Sequence, residues 1–179
     1  MGIALSLVFL SAGCGSGDSG DTETYEVPSE SMEPTFSVGD ELTVELDAYA
    51  DDEPAVGDAV VFHPPTGAED LSGCGGQKNS DEACSQPTAG ESGQLFLKRV
   101  VATPGDELAI EGGLPVVNGK EVLADVIQSC SGFEPCDLPK PIVIPPDHYF
   151  MLGDNSGASD DSRFWGPVPS KAIIGRVAE

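Results

Sequence analysis

LFLKRVVATPGDELAIEGGLPVVNGKEV, residues 95–122, decides the fold class. Short apolar runs are separated by Thr-Pro-Gly-Asp at 103–106 and by Gly112-Gly113. The last run is broken by Asn118-Gly119, a dipeptide that suits a two-residue hairpin because both positions tolerate positive φ. Val and Leu dominate the runs, which are too short for a helix and show no 3.6-residue spacing. The stretch reads as successive strands. Outward from it, ELTVEL (41–46) alternates polar with apolar, AVVF (59–62) follows a Gly-Asp turn, and PIVIPPDHYFML (141–152) supplies a further strand pair. Beyond the first residues no window keeps helical periodicity for more than about two turns, so the class is mostly β.

A chain of 179 residues can bury one substantial core with a smaller annex. Its 31 Asp and Glu against 8 Lys and Arg give a formal charge of -23, which phosphate backbones and anionic surfaces repel. No nucleic-acid partner is expected. The 5 cysteines are odd in number, and Cys14 is the one left over. Cys74 with Cys84, and Cys130 with Cys136, each fall within one short stretch and could close local loops, a pattern that suits an oxidising compartment. Neither pair has zinc-knuckle spacing, and His63 and His148 are far apart in sequence. No zinc site is expected from this spacing.

The first residues, MGIALSLVFLSAGCGSG, carry an apolar run from Ile3 to Leu10, about half the roughly 20 residues that span a bilayer. Ser-Ala-Gly-Cys resembles a bacterial lipoprotein processing site with Cys14 as the lipidation candidate, although Leu10 lies one place too far away and no basic residue precedes the run. The alternative is the tail of a longer signal anchor. Either reading puts the remainder outside the cytoplasmic membrane. The expected organisation is a leader or anchor at 1–14, a flexible acidic tether at 15–26 and a folded unit at 27–179. A long loop at 63–94 falls within that unit, clamped by Cys74 and Cys84.

Three segments carry candidate chemistry. PSESMEPTFSVGD (28–40) holds Ser29 and Ser31 and by composition alone is an ordinary turn. In LFLKRVV, alternation puts Lys98 on a face with Phe96 and Val100. A lysine held there loses hydration, its pKa falls, and it becomes a base able to take a serine proton. GDNSGASDDSRFWGPV (153–168) concentrates Asp, Asn, Ser and Arg after the apolar YFML, as suits side chains that orient one another.

In that order the segments resemble the boxes of type I signal peptidases, the membrane-anchored Ser/Lys proteases of family S26. PSESMEPT is similar to the nucleophile box, VGDAVVF to the next strand box, FLKRVVATPGD to the lysine box, and GDNSGASDDSRFWGPV to the last. The resemblance implies Ser31 as nucleophile, Lys98 as general base and Ser29 as an oxyanion donor with the Ser31 N–H. It further implies that Ser159 orients the lysine amine, that Asp161 and Arg163 form a supporting ion pair which Arg99 joins, and that Met32 packs beneath the nucleophile. The implied fold is an antiparallel β catalytic core with a smaller β cap inserted at about 107–147. The implied partners are secretory preproteins with small residues at the -1 and -3 positions, and membrane lipid. No metal and no organic cofactor are implied. The implied location is the cell membrane, with the catalytic part on the extracytoplasmic side.

Three rivals carry less. A self-cleaving transcriptional regulator needs a basic DNA-binding domain where this chain has acid. A catalytically idle lipoprotein that binds exported proteins would have no use for Ser29, Ser31, Lys98 and Ser159 together. A Ser-His-Asp arrangement built on His148 beside Asp147 has a weaker basis than a structural histidine at a strand entry.

Overall fold

The computed structural model describes residues 20–69, 73–77, 82–130 and 135–178. The apolar leader, Cys14 and the start of the expected tether lie outside them.

Two antiparallel sheets form the protein. The larger has seven strands: β1 (Thr22–Glu26), β2 (Glu41–Glu45), β3 (Ala59–Phe62), β4 (Phe96–Ala102), β9 (His148–Leu152), β10 (Val168–Pro169) and β11 (Ile173–Val177), in the order β1-β2-β11-β3-β4-β9-β10. The smaller has four: β5 (Glu107–Glu111), β6 (Leu114–Val117), β7 (Lys120–Glu121) and β8 (Leu138–Val143), in the order β7-β6-β5-β8. The only α-helix among the described residues is α1 (Ser162–Trp165). No described helix is long and apolar enough to cross a membrane.

Local chemistry accounts for most of these elements. Asn118 (φ 51°) and Gly119 (φ 76°) make the turn that pairs Val117 with Lys120 and Val116 with Glu121, as the Asn-Gly dipeptide predicts. In β4 the alternation separates two environments. Phe96 and Val100 join Val60, Phe62, Met151 and Trp165 on one face, whereas Leu97 packs with Val44 and Val61, and Val101 with Leu108, Ile110 and Phe150. Each large apolar side chain so buried contributes roughly 1.5–3 kcal/mol. Val101, Ala102, Phe150 and Leu152 also join the two sheets through a shared core with Leu108, Ile110 and Leu138.

Two sequence expectations change. The stretch 15–26 is not tether to its end: Thr22–Glu26 is β1, paired over five residues with β2. Its side chains are mostly exposed, so composition mimics a solvated linker while the backbone supplies the pairing. The strand pair expected within 141–152 is split between the two sheets. β8 pairs with β5 and β9 with β4, because Pro145 and Pro146 lack N–H donors and Asp147 turns at φ 58°.

Both cysteine pairs are disulfides, Cys74–Cys84 and Cys130–Cys136. The first clamps part of the 63–94 loop against α1: Cys84 N–H donates to the Arg163 carbonyl at 2.7 Å, and Thr88 N–H and Oγ1 donate to the Trp165 carbonyl at 3.1 and 2.7 Å.

Candidate active site

The serine loop leaves β1 at Val27 and returns at Asp40, closed at its base by Val27 N–H to Asp40 O and Gly39 N–H to Val27 O, both 2.9 Å. Gly39 (φ 90°) permits the return. Glu30–Met32 is a single 3-10 turn in which Ser31 and Met32 are buried. The first N–H groups of such a turn have no acceptor within it, which leaves the Ser31 N–H free to donate elsewhere.

Lys98 lies on β4 between β3 and β9, inside the sheet, and is 4 % exposed. Its Nζ donates to Ser31 Oγ at 2.9 Å and to the Leu97 carbonyl at 2.9 Å, and sits 5.5 Å from the centre of the Phe96 ring. Burial lowers its pKa to about 8. The nearby charges of Asp161, Asp160 and Asp154 oppose that fall, and Arg163 assists it. Ser29 Oγ donates to Ser31 Oγ at 3.2 Å. These three side chains line a cleft of about 370 Å³ whose walls include Val27, Met32, Leu42 and Leu97.

The 153–163 segment supports this pair from behind. Asp161 accepts Arg163 Nε and Nη2, both at 2.8 Å, and both residues are fully buried. Arg163 Nη2 also donates to the carbonyls of Ser156 and Ser159, at 2.8 and 3.2 Å, and so shapes the turn. Arg99 does not join this pair. It grips Asp154 through Nε at 2.7 Å and Nη2 at 2.6 Å, forming a second ion pair, and donates Nη1 to the Gly57 carbonyl. Ser159 is buried, but its Oγ has no hydrogen-bond partner among the described residues, and the lysine amine bonds to Ser31 and Leu97 instead.

Sequence reading missed Gly153, Asp154 and Asn155 as individual contributors. Asn155 N–H donates to the Ser31 carbonyl and its Nδ2 to the Glu30 carbonyl, both at 3.1 Å, which ties the serine loop to this segment. The pairing of β4 with β9, visible only in the fold, accounts for Asp154: Arg99 opposes Leu152, so a carboxylate two residues further on the same face meets the guanidinium. At Gly153 a Cβ would overlap Ser159 Oγ and the Ser31 carbonyl oxygen. Gly153→Ala is therefore expected to cost about 1–3 kcal/mol through overpacking, read as a lower urea midpoint.

Among the described residues no group of His, Cys, Asp and Glu has the arrangement of a metal site. The cleft's chemistry rests on a hydroxyl, an amine and amide or hydroxyl donors.

Comparison with known proteins bears on this geometry. A family model described as "Signal peptidase, peptidase S26" matches residues 19–179. Signal peptidase I of Leptolyngbya laminosa is 37% identical over 155 residues, covering 87% of this chain and 66% of the relative. Probable signal peptidase I-2 of Synechocystis is 34% identical over 155 residues, with coverages of 87% and 61%. Probable thylakoidal processing peptidase 2 of Arabidopsis thaliana is 34% identical over 176 residues, with coverages of 97% and 40%. The chain thus spans less than two thirds of the length of these three relatives.

Proposed function

Because the chain belongs to the peptidase S26 family of signal peptidases, we propose that it is a serine endopeptidase that removes N-terminal signal peptides from exported preproteins with a Ser31/Lys98 dyad. The observation that carries the mechanism is the 2.9 Å contact between Lys98 Nζ and Ser31 Oγ in a buried setting.

In the working form Lys98 is neutral. Its amine takes the Ser31 proton as Oγ attacks the scissile carbonyl, and the oxygen that becomes negative accepts from Ser29 Oγ and the Ser31 N–H. The ammonium then gives its proton to the leaving amine. In the second half, Lys98 deprotonates a water that attacks the acyl ester, and Ser31 is regenerated. The Leu97 carbonyl anchors the amine throughout, and Met32 fills the space under the serine loop. Asp161 with Arg163, and Arg99 with Asp154, hold the segments together as structural supports. Substrates with small residues at the -1 and -3 positions suit a shallow cleft walled by Val27, Met32, Leu42 and Leu97. The proposed setting is the outer face of the cell membrane.

The test is cleavage in detergent of a secretory precursor bearing an Ala-X-Ala site, across a pH series. Lys98 is neutral in about one tenth of molecules at pH 7 if its pKa is about 8. The rate constant kcat/KM is thus expected to rise nearly tenfold per pH unit below about 7, about fivefold from 7 to 8, and to level off above about 9, and Ser31→Ala is expected to be inactive. Folded wild-type protein that leaves the precursor intact, or Ser31→Ala that still cuts it, overturns the proposal.

A further inference from the structure

The cleft holds a charge for which the bond-breaking steps have no use. Ser159 and Asp161 point inward from an extended stretch and are buried, so Asp160 between them points outward, where it lines the cleft with Ser31 and Lys98. The neighbouring carboxylates are engaged: Asp161 by Arg163 and Asp154 by Arg99. Asp160 makes no hydrogen bond or ion pair with any described residue, yet its charge and that of Lys98 influence one another.

That influence changes during catalysis. While Lys98 is an ammonium, Asp160 has a nearby counter-charge. Once Lys98 is neutral, the form that attacks, the cleft presents the carboxylates of Asp160 and Glu26, and no other cation among the described residues lines it. A bound peptide then meets a negative field next to the reacting carbonyl. Further charges behind Lys98, on Asp154, Asp161 and Arg163, are fixed in pairs and do not vary with the substrate.

We infer that Asp160 is a specificity-determining residue, favouring substrates with lysine or arginine close to the scissile bond and disfavouring those with an acidic residue there. The inference rests on the peptidase reading above and adds a charge preference to its requirement for small residues. Because Asp160 is solvent-exposed, the preference is moderate and salt-sensitive: roughly fivefold between Lys and Gln, and again between Gln and Glu, at low ionic strength.

The experiment uses matched peptides with one Ala-X-Ala site and Lys, Gln or Glu placed in turn at the -2, +1 and +2 positions, so that the small residues at -1 and -3 are kept. They are assayed at pH 8.5 with wild type, Asp160→Asn, Asp160→Glu and Glu26→Gln, and the Gln peptide serves as the internal reference for each variant. The expected result is a Lys over Gln over Glu ranking of kcat/KM at one position or more in wild type, kept in Asp160→Glu and reduced to less than twofold in Asp160→Asn. The general attraction of a chain with net charge -23 changes by a single unit in that variant and cannot account for such a collapse. A wild-type protein indifferent to peptide charge, or a ranking that survives Asp160→Asn, overturns the inference, and in the second case loss of the ranking in Glu26→Gln would move the role to Glu26. Either failure leaves the peptidase reading intact, because the Gln peptide is still cut. If wild type cuts no peptide, the peptidase reading fails and this inference falls with it.

Discussion

Lys98→Met is expected to remove turnover and, at the same time, to make the protein harder to unfold. The amine is the only base within hydrogen-bond reach of Ser31 Oγ among the described residues, so its loss should cost at least about 10⁴-fold in kcat. Stability should move the other way. The Lys98 pKa is lowered from 10.5 to about 8, so between these values the unfolded chain binds more protons than the native one, and stability rises with pH across that window. Below about pH 8 the full penalty of burying the ammonium is present, about 3 kcal/mol for a shift of this size. Methionine fills similar space without that penalty but leaves Ser31 Oγ without its lysine partner. A net gain of about 1–2 kcal/mol at pH 7 is expected, shrinking to nothing near pH 10.5. Urea unfolding at the two pH values reads both parts. A variant less stable than wild type at pH 7 would mean that the site is built to hold the charged amine.

Arg163→Met is expected to be the most destabilising single substitution behind the site. Arg163 and Asp161 are both fully buried, and the guanidinium also holds the Ser156 and Ser159 carbonyls. Removing it strands the Asp161 carboxylate with only the N–H groups of Gly153 and residue 163, a change that costs about 3–5 kcal/mol when a buried charge loses its partner. The double variant Asp161→Asn/Arg163→Met should recover part of that loss, so a thermodynamic cycle on thermal unfolding isolates the coupling. Additive losses would show that the arginine acts through packing alone.

Much of the large sheet was legible because its strands signal themselves: 41–46 alternates polar with apolar, and 59–62 and 95–101 are short apolar runs next to turn residues; in the smaller sheet Asn118-Gly119 dictates its own turn. The order of strands was not. Nothing local in Ile173–Val177 says that it lies between β2 and β3, since pairing partners are chosen by faces that meet only after folding. β1 was hidden for a related reason, its pairing being carried by backbone groups beneath acidic side chains. Within the site, the apolar neighbours of Lys98 foretold its burial. The partner of Arg99 could not be chosen the same way, because Asp154 stands 55 residues away and Asp161 was an equally plausible acid. The Ser159 hydroxyl shows the limit of resemblance: a matched residue type sits beside the site, but its hydrogen bond to the amine is absent.

The interior position of β11 governs when the large sheet can assemble. The Cys74–Cys84 and Cys130–Cys136 loops join residues 10 and 6 apart and can close as soon as those stretches emerge. The large sheet cannot, because β2 and β3 have no partner along one side until residues 173–177 arrive from more than a hundred residues downstream. Contacts so distant in sequence make for slow, late condensation. A nascent or stalled chain that ends before Ile173 carries two open strand edges and the unshielded side chains of Val44 and Val61, a template for aggregation rather than a partly finished fold. On the peptidase reading proposed above, the sheet that carries Lys98 is therefore complete only once β11 has joined it, and no competence to cut is expected of a chain that lacks it.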